Sequence, residues 1–256
     1  QKTYSNKRMF NYRIINIIGV ILIFLGLSMI PSFLWTIYFI EYVDMLSFIK
    51  SSTITVVVGF LLYLISFKKS KNQKKELSAK DGFLIVSLGW ICMSIFSALP
   101  YYLSSGYNFT YIDSLFESMS GLTTTGATIL GGEILIEDLS HGLLFWRSFT
   151  HFIGGMGIIV FSIAILPLLG IGGVQLFKAE VAGPTTDTIS PRIKETAKLL
   201  WGIYIGFVIT LSLILYLQGM TYFDAICHSF STMATGGFST HSDSIKWFTN
   251  NVSPNI

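Results

Sequence analysis

Charged residues are scarce in this sequence. Only 12% of its 256 residues are Asp, Glu, Lys or Arg, whereas 52% are hydrophobic. A soluble domain carries about 25% charged residues, so the deficit excludes an ordinary water-soluble fold and indicates that the solvent is mostly lipid. The net charge of +3 says little by itself, and the positions of the charges matter more.

Cysteines and catalytic motifs are also scarce. Two cysteines, Cys92 and Cys227, are too few for a disulfide framework or a metal cluster. The sequence has no HExxH motif and no GxxxxGK[ST] phosphate loop. A membrane metalloprotease and ATP hydrolysis on this chain are therefore unsupported, and we predict neither an enzyme nor an organic cofactor.

Long apolar runs are what the sequence has in abundance. A helix needs about 20 apolar residues to cross a bilayer core. Five segments qualify, with a predicted kink at Pro31 in the first: 14–38, 46–67, 82–103, 143–171 and 197–217. The predicted fold class is therefore an all-α polytopic membrane protein surrounded by membrane lipid.

Basic residues cluster on one predicted side of the membrane. Most of the 17 Lys and Arg residues lie in the N-terminal arm, in the loop "KKSKNQKKELSAKD" and in the loop after the fourth span. Five crossings from a cytoplasmic N-terminus place all three segments in the cytoplasm, as the positive-inside rule requires. Nucleic-acid binding or plain solvation would also give a Lys-rich loop. The agreement with crossing parity favours topology, and we predict no nucleic-acid partner.

Two segments, after the third and the fifth span, resemble each other. "YIDSLFESMSGLTTTGAT" and "YFDAICHSFSTMATGGFST" align without a gap at a constant separation of 111 residues. Internal repeats are a building principle of membrane transport proteins. The aligned identities include Tyr111 and Tyr222, Asp113 and Asp224, Ser118 and Ser229, Ser120 and Ser231, and Gly126 and Gly237.

Each of these segments is predicted to be a re-entrant loop. Asp113 or Asp224 is expected to cap the start of a helix. About ten semi-apolar residues follow and extend about 15 Å, half of a hydrocarbon core of about 30 Å. Thr and Gly then replace the helix formers. Backbone left unpaired inside a membrane must be buried in protein or line a water-filled cavity.

The backbone after each half-helix is the candidate ion site. Carbonyl oxygens of small residues can face an axis together, as in potassium filters, and the negative end of the half-helix dipole favours a cation there. A plain contact between small residues of packed helices is the alternative. The residues predicted to bind potassium through their carbonyls are Thr124, Thr125, Gly126, Thr235, Gly236 and Gly237.

Glu117 on the first half-helix aligns with His228 on the second. One interpretation makes Glu117 an outer-vestibule charge that attracts cations. The other makes it a structural partner for Arg147 or for a backbone donor, and both remain open because ionisable groups at membrane depth do either. His141 and His151, which flank Arg147, are predicted to be interfacial anchors.

Five segments carry a resemblance to a known family: "DGFLIVSLGW", "ESMSGLTTTGATIL", "GGMGIIVFSIAILPLLGIGGVQLFKAE", "PRIKETAKLLW" and "HSFSTMATGGFSTH". In this order they resemble the Trk/Ktr/HKT superfamily of potassium transporters, and its bacterial Trk branch in particular. The resemblance implies potassium-channel-like span–pore-loop–span repeats with two extra N-terminal helices. It assigns residues 1–80 to those helices and a basic cytoplasmic loop, 81–180 to a first repeat, and 181–256 to a second repeat truncated after its pore loop.

The resemblance also implies a function and partners. Gly126 and Gly237 match the family's filter glycines, and Gly126 favours potassium, because a Ser there goes with sodium selectivity in plant-type relatives. The expected function is potassium uptake across the inner membrane as a channel or symporter. A sodium-permeable relative and a non-conducting fragment or scaffold subunit are the alternatives. The expected partners are a second copy of the full-length form and a cytosolic nucleotide-binding regulatory subunit. Because the family carries four repeats on one chain, we expect this chain to be the N-terminal half.

Overall fold

The computed structural model describes residues 12–71, 79–132, 134–165 and 189–252. Within these ranges the chain is helical and has no β-strand, which confirms the predicted all-α class. A short 3-10 turn, Ile136–Asp138, lies between two of the helices. The helices of the described part are α1 (Tyr12–Ser28), α2 (Ile30–Tyr38), α3 (Tyr42–Lys71), α4 (Ala79–Ser97), α5 (Leu99–Tyr102), α6 (Tyr111–Leu122), α7 (His141–Ile165), α8 (Ile189–Leu217), α9 (Tyr222–Met233) and α10 (Ile245–Asn251).

Four helical segments of the described chain are long and apolar enough to cross a membrane: Tyr12–Tyr38, Tyr42–Lys68, Lys80–Leu103 and Glu195–Leu217. They correspond to the first, second, third and fifth predicted spans. The fourth predicted span, 143–171, coincides with α7 as far as Ile165, and its last six residues lie outside the described residues. The predicted repeat boundary at 180 also lies outside them. The chain is a multi-pass membrane protein.

Two of these segments are interrupted at a proline. α1 and α2 are separated at Met29, because Pro31 lies in the first turn of α2 and cannot donate a backbone hydrogen bond to the preceding helix. Pro100 separates α4 from α5 in the same way. The predicted kink at Pro31 is therefore present, and Pro100 introduces a second interruption that was not predicted.

Small residues allow α1 and α3 to pack closely. A Cβ atom on Gly19 would lie 2.7 Å from the carbonyl oxygen of Gly59, and a Cβ on Gly59 would lie 2.7 Å from that of Gly19. Membrane helices gain most from such close backbone approach, because lipid supplies no hydrophobic drive for helix association. The two N-terminal helices thus form a tight pair beside the repeats.

α6 and α9 are the two predicted half-helices. Each has 12 residues, which is about 18 Å of helix and too short to cross a bilayer. Both pack against α7. The approach to the first half-helix is close, because a Cβ on Gly154 of α7 would overlap the carbonyl oxygen of Leu122, the last residue of α6. α7 thereby fixes the places where the half-helices end.

Candidate ion-binding site

Threonine–aspartate pairs fix the starts of both half-helices. Thr110 is the N-cap of α6: its Oγ1 accepts a hydrogen bond from the backbone N–H of Asp113 (3.2 Å), and Asp113 Oδ2 accepts one from the N–H of Thr110 (3.1 Å). This is a capping box. Thr221 caps α9 through the N–H of Asp224 (3.1 Å). The N-caps are therefore threonines, and the predicted aspartates support them from the third helical position. The Thr-x-x-Asp pattern is the sequence signal that identifies them.

α6 ends in a Schellman motif. The N–H of Thr124 donates to the carbonyl of Gly121 (3.1 Å), and the N–H of Thr125 donates to that of Ser120 (2.9 Å). Thr124 has a φ of 55°, a left-handed conformation that is a genuine outlier for a β-branched residue. Gly126 is also left-handed, with a φ of 74°.

α9 ends in the same way. The N–H of Thr235 donates to the carbonyl of Thr232 (2.9 Å), and the N–H of Gly236 donates to that of Ser231 (2.8 Å). Thr235 has a φ of 58° and Gly237 a φ of 88°. Each partner in this motif lies 111 residues after its counterpart at the end of α6. The sequence repeat is therefore also a repeat of backbone conformation.

The structure brings the two Thr/Gly runs, 124–126 and 235–237, into contact. A Cβ on Gly126 would overlap the carbonyl oxygen of Gly236, so the two backbones touch at this point. Gly236 in turn packs against the ring of His151, which a Cβ would also overlap. A Cβ on Gly237 would meet no atom of the described residues within 4 Å. All six predicted ion-binding residues therefore belong to one cluster.

Glu117 is not a vestibule charge. Its side chain is only 1% exposed, and its Oε1 lies 2.5 Å from Nε of Arg147, which is 2% exposed. The same carboxylate accepts hydrogen bonds from Oγ1 of Thr128 (2.9 Å) and from the N–H of Ile129 (3.3 Å). A carboxylate enclosed in this way is not accessible from an outer vestibule. The vestibule interpretation is wrong, and Glu117 is a structural partner of Arg147.

Arg147 also contacts the second repeat. Its Nη1 donates to the carbonyl of Ser239 (2.9 Å), and its guanidinium lies 3.7 Å from the ring centroid of Phe238. The ring of His151 also stacks on the ring of Phe238, with 4.1 Å between the two ring centroids, and His151 is fully buried. The prediction that His151 is an interfacial anchor is therefore wrong. The contact of Arg147 with the second repeat was not predicted. A single Arg in an apolar run gives no indication of which distant segment it will contact.

A hydrogen-bonded contact joins the loop before α7 to the segment after α9. The backbone N–H and the Oγ of Ser242 each donate to the carboxylate of Glu137 at 2.6 Å. Partial burial alone would raise the pKa of Glu137, but these hydrogen bonds and the nearby His241 outweigh it and hold the pKa below its ordinary value. The loop before α7 and the segment after α9 are thus linked through the carboxylate of Glu137, whose pKa is lowered.

Two cavities lie near the starts of the half-helices and away from the Thr/Gly runs. One, of about 850 Å³, is lined by aromatic side chains around Phe223 and Asp224 at the start of α9. The other, of about 560 Å³, borders Tyr107 and Asp113 at the start of α6. Among the described residues no group of three His, Cys, Asp or Glu side chains could hold a metal ion.

The fold and the site together define a multi-pass helical membrane protein that contains a repeated half-helix followed by a Thr/Gly run. The family model described as TrkH, cation transport protein, matches residues 48–256. The chain belongs to this family, which consists of transport proteins and not of enzymes. The predicted resemblance to the Trk branch is confirmed.

Two relatives and one solved structure show how far the similarity extends. The Trk system potassium uptake protein TrkH of Halomonas elongata is 43% identical over 236 residues, which are 92% of this chain and 47% of that protein. The protein of the same name from Escherichia coli (strain K12) is 44% identical over 237 residues, with coverages of 92% and 47%. The crystal structure of the potassium transporter TrkH from Vibrio parahaemolyticus matches with a TM-score of 0.78 at 38% identity, covering 94% of this chain and 46% of that one. The chain spans about half the length of the curated relatives it matches.

Proposed function

We propose that this chain contributes two of the ion-coordinating segments of a potassium uptake pathway, and that the carbonyls of its two Thr/Gly runs bind the ion. The observation that carries this proposal is the repeated backbone conformation. Thr124 and Gly126, like Thr235 and Gly237, are left-handed, and the two runs touch at Gly126 and Gly236. Strained backbone of this kind clusters at functional sites.

The hydrogen bonds at the helix ends support a cation as the ligand. The backbone N–H groups of Thr124 and Thr125 are already used by carbonyls of α6, and those of Thr235 and Gly236 by carbonyls of α9. The runs therefore have few amide donors left for an anion, whereas their carbonyl oxygens are acceptors for a cation. The negative dipole ends of both half-helices point to the same place.

The relatives support potassium as the ion. They are named Trk system potassium uptake proteins, and the similar solved structure is that of a potassium transporter. Potassium is cargo here, and the proposal includes no organic cofactor. The family resemblance favours potassium over the sodium-permeable alternative, because sodium-selective plant-type relatives have Ser where this chain has Gly126. The contact with the carbonyl of Gly236 leaves no room for a side chain at position 126.

The proposal also includes an orientation and partners. Arg13 lies at the start of the first span, Lys68 ends the second, Lys80 begins the third, and Lys198 lies near the start of the last. This distribution supports a cytoplasmic N-terminus in the inner membrane. The division at residues 1–80, 81–180 and 181–256, a homodimer of the full-length form, and a cytosolic nucleotide-binding subunit rest on the family resemblance.

Gly126→Ala in the full-length gene product tests the function. The variant is expressed in a strain that lacks its own potassium uptake, and the initial rate of potassium uptake is measured per amount of protein in the membrane. We expect a loss of at least about tenfold, because the new methyl group overlaps a coordinating carbonyl, and a misplacement of this size costs a large factor in a positioned site.

Gly131→Ala is the matched control. Gly131 also has a positive φ, 101°, but a Cβ there would meet no described atom within 4 Å. The Gly131→Ala variant therefore introduces backbone strain of the same kind outside the runs, and potassium uptake should persist. Uptake at the unmodified rate by Gly126→Ala, with normal abundance, would refute the proposed function and favour a scaffold subunit.

A further inference from the structure

In the first repeat, a side chain of the half-helix holds the segment that returns from the Thr/Gly run. The carboxylate of Glu117 accepts hydrogen bonds from Oγ1 of Thr128 at 2.9 and 3.0 Å, and from the N–H of Ile129 at 3.3 Å. Thr128 is the second residue after Gly126. The end of the first run is therefore anchored to the middle of its own half-helix.

The second repeat contains the corresponding anchor. Nε2 of His228, the residue aligned with Glu117, lies 3.3 Å from Oγ of Ser239 and 3.4 Å from Oγ1 of Thr240. Ser239 and Thr240 are the counterparts of the residues that Glu117 holds, at the same separation of 111 residues. The anchor is repeated in position although its chemistry changes from a carboxylate to an imidazole.

Arg147 connects these two anchors. Its Nε lies 2.5 Å from Oε1 of Glu117, and its Nη1 donates to the carbonyl of Ser239 at 2.9 Å. The guanidinium is planar and rigid and presents its donors in a fixed fork. Because Arg147 is 2% exposed, solvent does not screen these contacts. One side chain thus holds the returning segments of both repeats at a fixed separation.

We propose that Arg147 is a positioning residue that sets the spacing between the two Thr/Gly runs, and thereby the discrimination between potassium and sodium. The inference rests on the proposed function and adds regulation of selectivity at the same site. Selection between these two ions depends on the arrangement and the flexibility of coordinating carbonyls. A fixed separation keeps the carbonyls from closing around the smaller ion.

Arg147→Lys in the full-length gene product separates positioning from folding. Lys keeps the positive charge beside Glu117, but a single ammonium lacks the fork that reaches Glu117 and Ser239 together. We expect normal abundance in the membrane and a potassium-to-sodium uptake ratio lowered by about tenfold, the order that one charge-assisted hydrogen bond represents. Normal abundance with an unchanged ratio would overturn the inference.

A second variant covers the case in which Arg147→Lys fails to accumulate. The double substitution Glu117→Gln with Arg147→Met removes both buried charges together, which proteins tolerate better than one unpaired charge. It keeps a hydrogen-bonding group at position 117 and loses the connection to Ser239. We expect the lowered ion ratio again, and an unchanged ratio in this variant would also overturn the inference.

Glu41→Gln is the matched control, because Glu41 is another carboxylate that contacts α7. Glu41 accepts a hydrogen bond from the N–H of His141 at 2.8 Å at the start of α7 and contacts neither run. Its loss should leave the ion ratio unchanged. Gly126→Ala distinguishes the two proposals: if it abolishes uptake while Arg147→Lys keeps its ion ratio, the filter proposal stands and positioning by Arg147 fails.

Discussion

Thr124 and Thr235 adopt the same left-handed backbone conformation, with φ angles of 55° and 58°. They lie 111 residues apart, each immediately after the cap of a 12-residue helix. A left-handed conformation costs a non-glycine residue about 1–2 kcal/mol, and glycine is the usual residue at this position of a helix end. Strain that occurs twice in equivalent places supports the proposal that these two turns bind the ion.

Thr235→Gly should raise stability. Glycine removes the left-handed strain and partly offsets this gain through its greater freedom in the unfolded chain, so we expect a gain of up to about 1 kcal/mol. The measurement is the thermal midpoint of the detergent-solubilised protein. Thr232→Gly, at an exposed position inside α9, should lower the midpoint, because glycine disfavours helix by about 1 kcal/mol. A lower thermal midpoint for Thr235→Gly would contradict the claim that the left-handed backbone of Thr235 is strained.

Thr110→Ala and Thr221→Ala should each destabilise the protein by about 1 kcal/mol, because each removes an N-cap oxygen from a half-helix. Chemical or thermal unfolding in detergent measures the loss. Thr110→Ser keeps the cap hydroxyl and serves as the control, with stability close to that of the unmodified protein. Equal stability of the Ala and Ser variants at position 110 would show that the capping box contributes nothing.

Gly154→Ala should destabilise the protein by about 1–3 kcal/mol, the usual cost of overpacking. The added methyl group overlaps the carbonyl of Leu122 and forces α6 away from α7. Gly202→Ala is the comparison within α8, where a Cβ would meet no atom of the described part of the chain within 4 Å. The thermal midpoint should fall for Gly154→Ala and stay the same or rise for Gly202→Ala, and the reverse order would be inconsistent with this packing.

The contact between Glu137 and Ser242 should make stability depend on acid pH. The folded pKa of Glu137 lies below its ordinary value because Ser242 donates to the carboxylate. The contribution of Glu137 to the stability of the folded protein is therefore fully present above the ordinary pKa of Glu, and it is lost as the pH falls through the folded pKa. The difference in thermal midpoint between the unmodified protein and Ser242→Ala should be constant near neutral pH and shrink in acid. A difference that grows in acid would reverse the assigned direction.

Local pattern was enough to predict the short helices. The separation of 111 residues between two Thr/Gly runs, together with the short apolar stretch before each, predicts α6 and α9 and the places where they end. The capping threonines were missed only because the aspartate three residues later was taken as the cap. Attention to the Thr-x-x-Asp pattern is sufficient to find them.

The pairing of Glu117 with Arg147 was one of two open interpretations of the sequence, but the burial of this pair and the contact of Arg147 with Ser239 could not be predicted. Both partners of an ion pair can be named from an apolar context, but burial depends on how α6, α7 and α9 pack, and no local rule gives that packing. The same holds for His151, whose position near an outer helix end suggested an interface and whose ring is instead enclosed against Gly236.

The Schellman bonds at Thr125 and Gly236 attach each Thr/Gly run directly to the last turn of its helix. A shift of α6 or α9 along its axis would therefore also displace the start of the attached run. Each half-helix and the start of its run would then move as one unit. Because both half-helices pack against α7, a movement of either one would have to occur relative to α7.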